Sequence, residues 1–249
     1  MTTPILEIKE GFKKTESGMT IMDHLNLKVN PGDFVTILGG NGAGKSTLFN
    51  AISGHLKLTS GEITIEDKKV NHLTEEKRAA FIGRVFQDPK QGTAPRMTVA
   101  ENLSLANLRG QKRGLKFRQL KSQKKNFYEM CQKIGNGLEE HLDTPTGNLS
   151  GGQRQALSLL MSTIQKPSLL LLDEHTAALD PKTAKQIMTL TNEIVSENQL
   201  TCLMITHRME DALLYGNRMI VLENGAIKHD IPKEQKANLT MTDVLSFFN

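Results

Sequence analysis

Phe34-Val35-Thr36-Ile37-Leu38-Gly39-Gly40-Asn41-Gly42-Ala43-Gly44-Lys45-Ser46-Thr47 joins an apolar run to a glycine-rich turn and the start of a helix. The first five residues read as a strand buried on both faces. Gly39 to Ser46 fits G-x-x-x-x-G-K-[ST] in the strand-to-helix setting that motif requires. Glycines let backbone N–H groups turn inward around phosphate oxygens. A helix starting near Lys45 adds the positive end of its dipole. Lys45 places a charge on the β- and γ-phosphates, and the Ser46 hydroxyl can ligate Mg²⁺. The helix runs to Ser53, where Gly54 suits its stop.

Outward from this loop, strands and helices alternate, which predicts a parallel sheet. Ser168–Leu172 and Thr201–Ile205 read as buried strands, separated by a helix over Pro181–Ser196. Before the loop, Leu6–Ile8 and the alternation Leu25, Leu27, Val29 predict strands with one buried face. Gly61–Val70 reads as a hairpin turning at Glu66-Asp67. A second hairpin pairs Met219–Leu222 with Ala226–Ile231 through Asn224-Gly225, a strong type I′ turn signal. Residues 98–134 are mostly helical and charged. A short amphipathic segment ends the chain.

Leu149-Ser150-Gly151-Gly152-Gln153 is a second phosphate-type helix start. Ser150 and Gln153 fit a capping box, and Ala156, Leu157, Leu160, Met161 and Ile164 follow on one helical face. Residue for residue, 149–153 resembles the signature motif of ABC ATPases. The remaining stations of that family follow in order. Phe86-Gln87-Asp88-Pro89 resembles its glutamine loop. Leu169-Leu170-Leu171-Leu172-Asp173-Glu174 resembles its Walker B strand, Ala178-Leu179-Asp180 its D-loop (with Ala178 where serine is usual), and Ile205-Thr206-His207 its switch histidine.

The resemblance covers nearly the whole chain and implies a P-loop α/β fold with a RecA-like core. An N-terminal antiparallel β subdomain and an inserted α-helical subdomain complete it. As one ABC domain, 1–90 and 161–231 form the core with the β subdomain, 91–160 the helical insert and 232–249 a tail. It also implies ATP and Mg²⁺ as cofactors. Gly39, Gly40, Asn41, Gly42, Ala43, Gly44, Lys45, Ser46 and Thr47 hold ATP, with Phe12 against the adenine and Asp180 nearby. Ser150, Gly151, Gly152 and Gln153 serve the ATP of a second, facing copy, so a head-to-tail homodimer sandwiches two ATPs. Ser46, Gln87 and Asp173 support Mg²⁺. Glu174 is the general base, assisted by His207 and Gln87.

The bulk composition agrees with a globular ATPase. Of 249 residues, 38% are hydrophobic and 23% charged, ordinary for such a chain. Aromatics are 4% and Trp is absent, which disfavours a base-stacking platform, and no nucleic-acid partner is expected. The start, Met1–Glu7, does not read as a signal peptide, and no apolar run approaches the roughly 18 residues of a membrane span. Cys131 and Cys202 lack metal-ligand spacing and read as free buried thiols. Seven basic residues (Lys112, Arg113, Lys116, Arg118, Lys121, Lys124, Lys125) and no acidic one lie between 112 and 125. They suit a solvated helix face, a surface toward anionic lipid or a partner, or, third, nucleic acid.

A single domain with no membrane span favours the ATPase subunit of a transporter, bound to permease subunits at the cytoplasmic face of the membrane. An ABC ATPase acting on DNA or ribosomes is the alternative. Chromosome and repair ATPases separate these motifs with long coiled coils, and no sustained heptads lie between Gln87 and Ser150. Soluble translation factors carry two such domains. Residues 83–89, 92–95, 173–181 and 206–212 are similar to bacterial importer ATPases that work with a lipoprotein binding protein, including tryptophan or aromatic amino-acid uptake systems.

Overall fold

A computed structural model describes residues 3–111 and 120–248. Of the basic stretch, Lys112, Arg113, Lys116 and Arg118 lie outside these residues.

The strands are β1 (Leu6–Lys14), β2 (Thr20–Val29), β3 (Phe34–Gly39), β4 (Ser60–Ile65), β5 (Lys68–Lys69), β6 (Ile82–Val85), β7 (Leu169–Asp173), β8 (Cys202–Ile205), β9 (Arg218–Glu223) and β10 (Ala226–Ile231). The α-helices are α1 (Lys45–Ser53), α2 (Glu75–Arg78), α3 (Val99–Asn107), α4 (Leu120–Gln132), α5 (Gly151–Thr163), α6 (Pro181–Glu197), α7 (Met209–Leu214), α8 (Lys233–Lys236) and α9 (Met241–Ser246).

Two sheets form. A six-stranded sheet has the order β10-β9-β3-β8-β7-β6, parallel except for the antiparallel edge strand β10. An antiparallel sheet has the order β2-β1-β4-β5. This is the mixed α/β architecture expected, with helices on both faces of a parallel sheet. Strand β3 is buried along its length to Leu38, as its continuous apolar run requires.

The hairpin turns follow their residues. Glu66 and Asp67 have φ of 50° and 60°, and Asn224 and Gly225 have 50° and 80°. Positive φ at both central positions is the type I′ geometry whose twist matches the flanking strands. Helix α1 ends at Gly54, φ 88°, whose N–H caps the Asn50 carbonyl. Strand β1 runs well beyond Ile8 because irregular pairing around Gly11 lets it continue to Lys14. A side chain at Gly11 would meet Ile8 Cγ2 at 2.8 Å.

Helix α5 has the expected face, with Leu157, Leu160, Met161 and Ile164 together in the cluster of the insert; Ala156 is the exception, on a second buried side, and residues 154–160 are buried all round. Ala156 and Leu159 pack into the cluster behind the sheet, with Leu170, Leu172 and Met188. Leu157 and Leu160 pack into the cluster of the insert, with Leu103, Phe127 and Cys131. A helix wedged between two apolar layers needs apolar residues on both sides.

The tail folds back onto the sheet. Val244 and Ile231 join Leu38, Ala212, Met219 and Val221 in a smaller cluster. Buried Lys236 donates to the carbonyls of Tyr215 and Gly216 at the end of α7. Burial pushes its pKa down to about 8. Both cysteines are free and buried, as expected.

Candidate functional site

Four neighbouring strands, β3, β8, β7 and β6, end at the same edge of the parallel sheet. Each delivers one of the predicted stations. Strand β3 runs into the 39–47 loop, β8 precedes His207, β7 ends at Asp173 and Glu174, and β6 leads to Gln87. Parallel strands must place their carboxyl ends together, and ligands of open α/β sheets bind there. Residues remote in sequence meet for this topological reason.

The loop is shaped by three glycine constraints. Gly42 and Gly44 have φ of 78° and 98°, open to glycine at little cost. At Gly39 a Cβ would stand 2.6 Å from the Leu222 carbonyl oxygen. At Gly44 it would stand 3.1 Å from the Cα of Gly225. The β9–β10 turn is thus the seat of the loop, held by the Gly225 N–H on the Ala43 carbonyl at 3.0 Å and by the Asp23 N–H on the Gly225 carbonyl at 3.0 Å. Lys45 Nζ donates to the carbonyls of Gly39 (2.7 Å) and Gly40 (3.0 Å), folding its charge over the loop. The first-turn N–H groups of Lys45, Ser46 and Thr47 have no acceptor among the described residues, as at any helix start. The result is a ring of donors and one ammonium, suited to phosphate oxygens.

Beyond the loop stand the two carboxylates of 173–174. Asp173 Oδ2 is paired with Arg84 at 3.0 Å, and Asp173 Oδ1 accepts nothing from any described residue. Glu174 turns away through φ 44°, a left-handed backbone that costs an L-residue of order 1–3 kcal/mol. Its N–H is held by the Ile205 carbonyl at 3.1 Å and its Oε2 lies 3.5 Å from His207 Nδ1. The turn separates the two acids, so that they face different partners. Gln87 and Asp173 line one cavity of about 340 Å³ with Arg84, Phe86 and Asp88.

The oxygen donors Ser46, Gln87 and Asp173 match a hard cation such as Mg²⁺, which keeps waters and shares its sphere with phosphates. Among the described residues no cluster of three or more His, Cys, Asp or Glu could hold a metal unaided. The available donors therefore fit Mg²⁺ brought with a nucleotide.

The signature segment lies elsewhere. Ser150 Oγ accepts from the Gln153 N–H at 3.2 Å and Gln153 Oε1 accepts from the Ser150 N–H at 3.2 Å, completing the capping box. Ser150, Gly152 and Gln153 line a cavity of about 620 Å³ with Asn136, Lys182 and Thr183, and none of residues 39–47 borders it. At Gly152 a Cβ would come within 2.4 Å of Thr183 Cγ2, so this glycine lets α5 and α6 approach. Asp180 caps α6, accepting from the N–H groups of Lys182 (3.2 Å) and Thr183 (3.1 Å). A hydrogen bond from the Thr183 side chain, and then these backbone bonds, hold its carboxyl below the usual range.

Phe12 is half-buried on β1 and stacks on His24, centroids 5.0 Å apart, with Lys14 Nζ 5.5 Å from its ring.

Residue-by-residue reading missed three supports. Arg154 donates to the carbonyls of Thr146, Gly147 and Leu149, shaping the turn before Ser150. His175 is buried, and burial pushes its pKa down to about 4. Because Thr191 Oγ1 donates to the Ile187 carbonyl, it accepts from His175, placing the ring proton on Nε2 at 3.0 Å. Arg84 is the third. None has a recognisable sequence pattern: Arg84 and His175 act on residues that the fold brings near, and Arg154 reaches back five to eight positions to carbonyls that any residue could offer.

Comparison with known proteins places this site in a family. The model of the family "ABC transporter" matches residues 22–177. The chain belongs to the ABC transporter family. It is 47% identical over 229 residues to a tyrosine transport ATP-binding protein of Clostridioides difficile, covering 92% of this chain and 91% of that one. It is 34% identical to the spermidine/putrescine import ATP-binding protein PotA of Pasteurella multocida, over 91% of this chain and 58% of PotA. The chain thus spans little more than half of that longer relative. Its fold matches a solved ATP-binding cassette in a dimeric, post-hydrolysis state bound to ADP and Pi. The TM-score is 0.77 at 29% identity, covering 92% of this chain and 98% of the cassette. The ABC chain is therefore an ATP-binding, ATP-hydrolysing transporter subunit. No helix of the described residues is long and apolar enough to cross a membrane.

Proposed function

We propose that this ABC subunit drives bacterial import of a small solute, with an aromatic amino acid such as tyrosine as cargo. Two copies close head to tail over two ATPs. The observation that carries the dimer is the separation of the two phosphate-type helix starts. The Ser150 end opens on a cavity that no residue of 39–47 borders. One chain therefore offers two half-sites that share no cavity, and a second copy completes each.

Within a half-site, the backbone of 39–47 and Lys45 hold the phosphates. Phe12 lies against the adenine. Ser46, Gln87 and Asp173 hold Mg²⁺, which when bound neutralises the β- and γ-phosphate charge. Glu174 accepts a proton from the attacking water, and His207 orients Glu174 and the terminal phosphate. Asp180 stiffens the α6 entrance at the dimer seam. Ser150, Gly151, Gly152 and Gln153 present the partner's share of donors. The core (1–90, 161–231), helical insert (91–160) and tail (232–249) move as parts of one ABC domain. The insert meets integral-membrane permease subunits at the cytoplasmic face, and a lipoprotein binding protein delivers the solute outside. Among the basic residues, Lys121, Lys124 and Lys125 are on α4 of that insert.

Ser150→Arg tests the sandwich. The variant should bind ATP as a monomer with unchanged affinity, fail to dimerise in light scattering, and lose turnover by about 10²-fold, the scale for losing a transition-state donor. A dimer that still forms on ATP would refute the arrangement. Expression with its neighbouring genes tests the transport reading. The chain should co-purify with a multi-span membrane protein, and tyrosine uptake into cells should be lost in its absence. Unchanged tyrosine uptake in its absence would refute the proposed cargo.

A further inference from the structure

The structure assigns to Arg84 a role in positioning the metal-supporting carboxylate, an assignment that rests on reading Asp173 as that carboxylate. Arg84 is the third residue of β6, between buried Gly83 and Val85. Its guanidinium makes three kinds of contact at once. Nη2 donates to Asp173 Oδ2 at 3.0 Å. Nη1 donates to Asn50 Oδ1 at 3.0 Å and to Ser53 Oγ at 3.2 Å, both on α1. The guanidinium carbon lies 4.7 Å from the centroid of Phe86, the residue before Gln87. The pair is mostly enclosed, with 13% of the Arg84 side chain and 17% of the Asp173 side chain exposed.

The consequence is geometric. Asp173 sits at the last position of β7 with two oxygens to direct. Arg84 takes Oδ2 and leaves Oδ1 free of any described donor. The rotamer is thereby chosen before a nucleotide arrives. The same cation is anchored to α1, the helix whose first turn carries Ser46. One planar fork therefore ties together the two elements that must agree for a metal ion to be shared between hydroxyl and carboxylate. A flexible ammonium reaches one acceptor well but cannot reproduce the fork. An apolar residue would leave Asp173 and Asn50 enclosed without their partner.

Arg84 also stands in the wall between two cavities. One is the cavity of Gln87 and Asp173. The other, about 290 Å³, is bordered by Glu75 of α2, Ala106 of α3 and Met161 of α5. A shift of the insert bearing α3 against β6 would reach Asp173 through this side chain.

The test measures binding of a fluorescent ATP analogue during Mg²⁺ titration, beside the binding in EDTA. Arg84→Met should raise the Mg²⁺ midpoint about tenfold, equivalent to about 1.4 kcal/mol, while affinity in EDTA stays within about twofold because the 39–47 loop is untouched. Arg84→Lys should recover most of the loss, leaving a shift of roughly threefold. Asp173→Asn is the reference. If it leaves the midpoint unmoved, the reading of Asp173 fails and takes the Arg84 assignment with it. If Asp173→Asn shifts the midpoint and Arg84→Met does not, the Arg84 assignment alone fails, whatever happens to the melting temperature. Should Arg84→Met not fold, the lysine variant decides: a wild-type midpoint overturns the assignment, and a raised one supports it.

Discussion

Glu174→Gln should lower steady-state ATP hydrolysis by about 10²–10⁴-fold, the usual worth of a positioned general base, while ATP still binds. The substitution keeps the size of the side chain and leaves the left-handed backbone in place but removes the side chain's ability to accept a proton from water. His207, 3.5 Å from the carboxylate, keeps a neighbour with which it can hydrogen bond. Binding and chemistry should therefore separate cleanly. ATP would enter, two copies would close over it, and the closed form would persist because nothing removes the terminal phosphate. Light scattering should show a stable dimer in MgATP that the wild-type chain holds only transiently. Wild-type turnover in this variant would show that another group takes the proton.

Lys45→Ala should instead remove binding itself. Charge-assisted hydrogen bonds are worth about 1.5–3 kcal/mol each. Losing two, one to each of the outer phosphates, corresponds to at least a roughly 100-fold fall in affinity. The loop's own hydrogen bonds add a second loss. Lys45 Nζ bonds the carbonyls of Gly39 and Gly40, so the loop also gives up its internal brace. Isothermal titration with ATP would read the effect, and the melting temperature of the free protein would separate the brace from the phosphate contacts. Near-normal affinity would mean that the phosphates lie somewhere other than the 39–47 loop.

The parts of this architecture legible in the sequence are those where physics is local. Gly39–Ser46, the Ser150–Gln153 capping box, the Asn224-Gly225 turn and the α1 stop at Gly54 each rest on residues within a few positions of one another. Strand β3 was readable because burial on both faces demands a continuous apolar run. Strand β6 was not, since its four residues include a glycine and an arginine, and its strand character comes from pairing with β7. The two-sided burial of α5 was hidden because periodicity reports one face, while here two separate layers claim opposite sides. Arg84 escaped notice because its partner is far along the chain and is brought near only by the order of parallel strands.

The contact between Gly44 and Gly225 means that the phosphate cradle has a floor supplied by the far end of the polypeptide. Its depth is a shared dimension: a methyl group on Gly44 would press on the Gly225 backbone, and one on Gly225 would press on Ile21 and Met22 of β2. The same eight residues, transplanted behind a strand without that hairpin beneath them, would keep their spelling and lose their shape.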